Sequence, residues 1–178
     1  MSAPLWRSAR LEYFRPAPSD AEAIFERYAS DPDVTRYLGW PRHRSLEDTL
    51  WFLEFSRAAW ERDGAGPLLI RCRADGELLG CTGLSVDAPG EVTTGYVLAK
   101  DAWGAGYATE ALSAMVEFAK SLGIEELSAL CHSEHRASWR VLEKVGFVRS
   151  ARGARSFVFP NLGGGTEALL VRYERARG

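Results

Sequence analysis

Cysteine is scarce in this chain, with three among 178 residues, at positions 72, 81 and 131. Each sits in an apolar or strand-like run and none has metal-ligand spacing. An odd count in such settings favours reduced, buried thiols over a disulfide framework. No apolar run approaches the roughly 20 residues needed to span a bilayer, and residues 1–7 hold no signal-peptide apolar core. Neither sign of charge is in excess, since 22 Lys and Arg against 24 Asp and Glu leave a net −2, with no global drive toward nucleic acid or an acidic membrane surface. Internal repeats, low-complexity tracts and linkers are also lacking. The expectation is one cytoplasmic domain over residues 1–178, with no metal, nucleic acid or membrane among its partners.

Hydrophobic residues make up 46% of the chain, enough for a real core. A first strand is expected at residues 10–15, closed by Pro16 and Pro18, and then a helix capped by Ser19 or Asp20. Asp31-Pro32-Asp33 breaks that helix. Ser45 and Asp48 have the form of a capping box, opening a helix with Leu46, Leu50, Leu53 and Ala58 near one face. Trp51, Phe52, Phe55 and Trp60 widen that apolar surface and read as core, with the shaping of a pocket, together with Trp40, as the other reading. From residue 68 the period changes to two. Residues 68–73, 77–86 and 91–99 form an antiparallel meander, its first turn carried by Asp75-Gly76 and its second by residues 87–90.

The chain then turns at Gly104-Ala105-Gly106 into a helix with Ala108, Ala111, Leu112, Met115, Ala119 and Leu122 at helical spacing, stopped by Gly123. A fifth strand at residues 126–131 follows this crossover and can lie parallel to the fourth. Ser133 is the expected cap of a last helix ending at Gly146. A sixth strand starts at residues 147–150, a loop covers 152–165, and a seventh strand covers 166–174. The fold class is therefore α+β, a mostly antiparallel seven-stranded sheet with one parallel pair (strands 4 and 5) and helices on both faces.

Strand, glycine turn and helix N-terminus together make an anion site, because the first N–H groups of a helix have no partner inside it. A P-loop needs Lys-Ser/Thr after its last glycine, where this chain has Tyr107-Ala108. A dinucleotide fingerprint is closer, since only the third glycine is missing, but an antiparallel meander precedes it and little chain remains for a doubly wound sheet.

Trp103-Gly104-Ala105-Gly106-Tyr107-Ala108-Thr109-Glu110-Ala111 resembles the coenzyme turn of the GNAT superfamily of acetyl-CoA-dependent N-acetyltransferases, in its Rim-type, ribosomal-protein N-terminal acetyltransferase-like branch. Gly95-Tyr96-Val97-Leu98, the run from Ala137 to Phe147, and Asp31-Pro32-Asp33-Val34 agree in order and spacing. The resemblance implies acetyl-CoA as cosubstrate, an amine acceptor, and a monomer or homodimer. It places the pyrophosphate on Trp103, Gly104, Ala105, Gly106, Tyr107, Ala108 and Thr109, and the acetyl and pantetheine groups along Val97, Leu98 and Ala99. In two places the chain departs from the family. Trp103 and Ala105 stand where a polar and a basic side chain are usual, which leaves binding to main-chain N–H groups. His135 replaces the Asn that bonds the pantetheine arm.

The implied reaction is direct attack of an amine on the thioester. Ser138 aligns with the residue that protonates or positions the sulfur, and main-chain N–H groups around Val97 to Ala99 are the candidate oxyanion donors. Glu91 is the candidate base, near where relatives carry an acid. Trp40 and His43, with Glu12, are candidates for the acceptor mouth, and Arg149, Arg152 and Arg155 for an anionic contact. A weak base fits an α-amino acceptor, with pKa about 7.7–8 and roughly a seventh neutral at pH 7; a lysine amine is neutral about once in 2,500. A module that binds coenzyme without turnover and a dinucleotide-binding protein are the alternatives.

Overall fold

The computed structural model describes residues 3–88, 90–163 and 166–175, without the side chains of 151–153 and 166. Pro89, in the expected second hairpin turn, and the side chain of Arg152 thus lie outside the described residues.

Eight strands form one sheet in the order β1-β2-β3-β4-β5-β6-β8-β7, where seven were expected. The extra strand is β1 (Trp6–Arg7), which folds back on β2 (Leu11–Phe14) with Trp6 opposite Tyr13. Two residues rarely suffice for a strand; here Trp6 packs on Phe118, 5.5 Å away, and Arg7 pairs with Glu12 across the ladder at 2.9 Å. β3 (Pro67–Cys72), β4 (Leu78–Ala88) and β5 (Glu91–Leu98) continue the antiparallel meander. β6 (Leu127–His132) then lies parallel to β5. Among the described residues this is the single parallel pairing in the sheet, so a doubly wound dinucleotide fold is excluded.

β7 (Val148–Phe159) runs through most of the expected 152–165 loop and pairs with β8 (Thr166–Arg175). Its arginines and glycine give poor strand propensity, and the ladder slips between Arg149 and Ala154, but pairing from Ala154 to Phe159 overrides the local preference.

Of the helices, α1 (Ala21–Ile24) follows a tight turn at Pro18–Asp20 and widens into a π turn over Phe25–Ala29. The Asp20 carboxylate accepts the Ala17 N–H at 2.9 Å, which closes the tight turn, but Asp20 makes no side-chain capping bond to α1 itself. α2 (Pro32–Thr35) is one turn, capped by the Asp31 side chain on Asp33 and Val34 N–H. α3 (Leu46–Asp63) begins at the expected capping box, where Asp48 accepts the Ser45 N–H at 3.3 Å and Arg44 N–H at 2.7 Å. Its buried face differs from the expected one: Thr49, Leu53, Ser56, Ala59 and Trp60 face inward. Leu46, Leu50 and Ala58 are exposed, as are Trp51 and Phe55. α4 (Tyr107–Ser121) follows the glycine turn, and α5 (Arg136–Lys144) starts later than expected, with His135 rather than Ser133 at its cap. The Ser133 N–H is held by Leu169 O at 2.9 Å, which keeps it in the strand register.

The sheet separates two apolar layers. Ala111, Leu112 and Met115 of α4 and Leu142 of α5 pack with Leu11, Ile70 and Leu98. Ile24 of α1 and Leu53 of α3 pack with Leu69, Leu78 and Cys81. All three cysteines are free and buried, and burial pushes the Cys81 and Cys131 thiols up to about 12. Among the described residues no helix is long and apolar enough to cross a membrane.

Gly80 of β4 has φ +156°, and a Cβ there would lie 2.0 Å from Val97 O and 2.9 Å from Leu98 Cα of β5. Backbone on backbone cannot yield as a flexible side chain would. Gly80→Ala is expected to destabilise the fold by about 2–4 kcal/mol, lowering Tm by roughly 4–16 °C, as read by thermal and urea unfolding. A loss below about 0.5 kcal/mol would show that the close approach is not needed.

Candidate active site

β5 and β6 are bridged only at Thr93–Ser128 and Thr94–Ala129. Beyond these the two strands part, while β5 stays paired with β4 as far as Leu98 and β6 stays paired with β8 as far as His132. The opening is therefore a gap between two supported strands. Ala99 N–H donates to Leu79 O at 2.8 Å, and the alternation of an antiparallel ladder then turns the N–H groups of Tyr96 and Leu98 away from β4, into the gap. Of the three residues expected to offer an oxyanion donor, Leu98 keeps a free direction. Ala99 is committed to β4, and Val97 shares its orientation.

A cleft of about 1390 Å³ enters at this gap. Tyr96 and Val97 of β5, Cys131 of β6, His135 and Ser138 of α5, and Trp40 and His43 from the segment before α3 all line it. Ser138 takes its place because α5 starts at His135, whose carbonyl accepts the Ser138 N–H at 3.0 Å. Its hydroxyl lies near the Tyr96 phenol; burial raises the Tyr96 pKa above the ordinary tyrosine value, against the lowering effect of the Ser138 hydroxyl. Tyr96 therefore keeps its proton at neutral pH. The sequence placed Tyr96 on the fourth strand, in the family-like run Gly95-Tyr96-Val97-Leu98, without a role in the site.

His135 stacks on Tyr37 with ring centroids 4.8 Å apart. Burial, and then the neighbouring His132, lower its pKa, so the ring is neutral at pH 7. His132 itself is buried, and its Nδ1 accepts the Glu134 N–H at 3.0 Å, a structural bond. His43 lies 2.9 Å from the Thr49 hydroxyl through Nδ1, and burial lowers its pKa against the opposing Asp48 charge.

Two acids fall elsewhere. Glu91 is exposed at the start of β5, 3.9 Å from Arg172, and does not line the cleft. Strand length explains this, because the gap begins only beyond Thr94. Glu12 is engaged with Arg7 on β2, also outside the lining. The aromatic residues of α3 are the reverse case. Trp60 is core, its indole N–H donating to Pro67 O at 2.9 Å, but Trp51 and Phe55 are 75% and 59% exposed and line the cleft with Phe52.

The glycine turn stands outside the cleft lining, past the end of β5. Gly104 and Gly106 have φ of +78° and +80°, and a Cβ on Gly104 would meet nothing within 4 Å, so its surface is bare. Glu110 N–H bonds Gly106 O at 3.2 Å as the first helical bond, so the N–H groups of Tyr107, Ala108 and Thr109 have no helical partner. Trp103 is half exposed and ties the turn to the strand through its indole N–H, 2.9 Å from Leu98 O.

The cation that the turn's own sequence lacks comes from Arg10. Its Nη1 donates to Ala105 O at 2.9 Å, and its Nε and main-chain N–H each reach Glu110 at 2.7 Å. The guanidinium lies 4.4 Å from the Tyr107 ring centre. Ser8 adds a 2.7 Å bond to Glu110. Against the burial that would raise it, these hydrogen bonds hold the Glu110 carboxyl below the usual glutamate value. Nothing local to the turn signals a partner nearly a hundred residues earlier. The bare glycines, the unclaimed N–H groups and this nearby guanidinium fit a pyrophosphate.

Comparison with known proteins agrees with this geometry. The sequence profile of the acetyltransferase (GNAT) domain matches residues 10–148. The uncharacterised N-acetyltransferase YoaA of Bacillus subtilis is 29% identical over 161 residues, covering 89% of this chain and 90% of YoaA. A GNAT-family acetyltransferase from Bacillus anthracis superposes with TM-score 0.80 at 25% identity, over 96% of this chain and 97% of that one. RimL, a ribosomal-protein alpha-N-acetyltransferase solved with coenzyme A, shares the fold with TM-score 0.80 at 21% identity over 96% of each chain. The chain thus belongs to the GNAT family of acetyl-CoA-dependent N-acetyltransferases.

Proposed function

We propose that this enzyme acetylates an α-amino group, of a protein N-terminus or an amino-acid-like small molecule, by direct attack on the thioester. The observation that carries the proposal is the state of the carboxylates in the cleft. Only Asp48 and Asp63 line it among the described residues. Asp48 is bound by the Arg44 and Ser45 N–H groups, and Asp63 by Arg62 at 2.9 and 2.6 Å. Neither is poised as a strong general base, so the acceptor must arrive partly neutral, as an α-amine does near pH 7.

Acetyl-CoA, when bound, supplies the thioester that the amine attacks. The open N–H groups of Tyr96 and Leu98 are donors for a carbonyl oxygen that gains charge. As the C–S bond breaks, the neighbouring hydroxyls of Ser138 and Tyr96 hold a proton for the departing sulfur, with Ser138 as the donor, and the proton shed by the new amide nitrogen passes to water. His135, neutral and fixed on Tyr37, offers the pantetheine arm one hydrogen bond in place of the usual amide. The turn from Trp103 to Thr109 receives the pyrophosphate through main-chain N–H groups, with Arg10 beside it.

Release of coenzyme A from acetyl-CoA, measured over a panel of α-amines, Nα-blocked lysines and peptides, tests the proposal. Faster acetylation of lysine ε-amines than of α-amines would overturn it. Ser138→Ala is expected to lower kcat by about 10²–10⁴-fold, the range of general acid catalysis, while coenzyme affinity stays within about threefold; full activity would remove Ser138 from the mechanism.

Arg10→Ala should raise the KM for acetyl-CoA by roughly three- to tenfold, with a smaller change in kcat, because it removes one charge-assisted contact and loosens the turn. Initial rates over a range of acetyl-CoA concentrations separate the two effects, and an unchanged KM would assign Arg10 to folding alone.

The pH profile has a defined sign. His43 and His135 have lowered pKa values and are neutral at pH 7, so any loss from their protonation comes only as pH falls below about 6.5. kcat/KM should rise with pH to about 8, following the acceptor amine. An acid limb above 6.5 that vanished in His43→Gln or His135→Asn would contradict this.

A further inference from the structure

We infer that the acceptor carries a carboxylate, held by Arg42, Arg44 and Arg155 of the cleft lining, whose aromatic residues take an apolar side chain. The inference rests on the acetyl-transfer reading of the cleft and adds to it the chemical class of the acceptor.

The observation is a reversal of charge. The whole chain carries a formal net −2, yet the charged residues that line the cleft are four arginines and two aspartates. Arg62 is spent on Asp63, at 2.9 and 2.6 Å. Asp48 accepts the N–H groups of Arg44 and Ser45, and it lowers its own pKa mainly through those bonds, with a smaller charge effect from Arg44 and His43. The guanidinium groups of Arg42, Arg44 and Arg155 form no hydrogen bond or ion pair with any described residue. Arg42 and Arg155 thus add two cations to the cavity lining with no partner there, Arg44 is offset only by the charge of Asp48, and a bound anion relieves the excess positive charge.

Tertiary structure brings these arginines together. Arg42 and Arg44 belong to the segment between α2 and α3, and Arg155 belongs to β7. Asn161, just past β7, joins the two. Its Oδ1 accepts the Arg42 N–H at 2.8 Å, and its Nδ2 donates to Thr35 O and Trp40 O, each at 2.8 Å. One side chain thereby fixes the arginine-bearing segment against the strand that carries the third arginine.

The cations are not needed for the coenzyme pyrophosphate. That anion has its own place at the glycine turn, and no residue from Trp103 to Thr109 lines the cleft. The cleft lining that holds the arginines also holds Trp51 and Phe55, which stand largely exposed, and Trp40, Phe52 and Phe157. Large exposed rings beside unpaired guanidinium groups suit a ligand with an apolar body and an anionic end. A free aromatic amino acid and a short peptide with an acidic residue near its N-terminus share that chemistry.

The test compares matched pairs. Tryptophan against tryptophan amide, and Trp-Glu-Ala amide against Trp-Gln-Ala amide, differ in one carboxylate, and the two pairs separate the free amino acid from the peptide. The amine of tryptophan amide is the more readily neutral, so its intrinsic reactivity works against the proposal. In at least one pair, the carboxylate-bearing member should have the higher kcat/KM by about tenfold or more, as a charge-assisted hydrogen bond would give. Arg42→Ala and Arg155→Ala should each reduce that ratio, as should raising the ionic strength. Equal rates within both pairs, or a ratio that survives in both variants, would overturn the inference. Calorimetric binding of the same four compounds reads carboxylate recognition without turnover. Carboxylate-dependent binding with no release of coenzyme A would count against α-amine acetylation of these compounds and uphold the anion site, and release of coenzyme A with carboxylate-independent binding would uphold α-amine acetylation and overturn the inference.

Discussion

The separation of β5 from β6 is the constraint on which the rest of the site depends. A parallel pair that stayed bridged to its ends would use its inner edges on itself. Here the bridging stops at Thr94 and Ala129, but neither strand loses support, because β4 holds one and β8 holds the other. Gly80 allows β4 to approach the far end of β5 more closely than any side chain would permit. Unpaired main-chain N–H groups in a protein interior are costly unless something bonds them. A gap with rigid sides keeps the groups that chemistry needs pointed at one place.

Around that gap the charges are sorted into separate stations. At the glycine turn, a helix N-terminus stands beside the Arg10–Glu110 pair, with the guanidinium 4.4 Å from the Tyr107 ring centre, an arrangement suited to an anion. In the cleft, the Ser138–Tyr96 hydroxyl pair and the neutral ring of His135 are uncharged donors and acceptors. The rest of the cleft lining adds arginines and aromatic rings. The burial that lowers the histidine pKa values also raises that of Tyr96, so these groups stay neutral.

Much of the scaffold was legible because its signals are local. The capping box at Ser45 and Asp48, the Asp75-Gly76 hairpin turn and the glycines before α4 each act within about four residues, and each stands where the spacing predicts. The crossover through α4 made the parallel pair predictable from connection length alone. Local reasoning did less well where contacts are distant. β7 is a strand because β8 lies beside it, and β1 is one because of Trp6 on Phe118. On α3, helical spacing offered several apolar faces, and the one that turned inward was decided by α1 and the sheet, which left Trp51 and Phe55 in the cleft.

By itself, the sequence determined the order of the elements, the glycine turn at the start of α4, and the place of Ser138 on the following helix. Those depend on backbone conformational preference and on hydrogen bonds closed within one or two turns of chain. Only the tertiary structure decided which side chains serve the site together: Arg10 with Ala105 and Glu110, Tyr96 with Ser138, Asn161 with the segment bearing Arg42, and Glu91 outside the cleft. The physical reason is range. A hydrogen bond or ion pair acts over a few ångströms in space, and residues many tens of positions apart come within that distance only when the sheet has set every register between them.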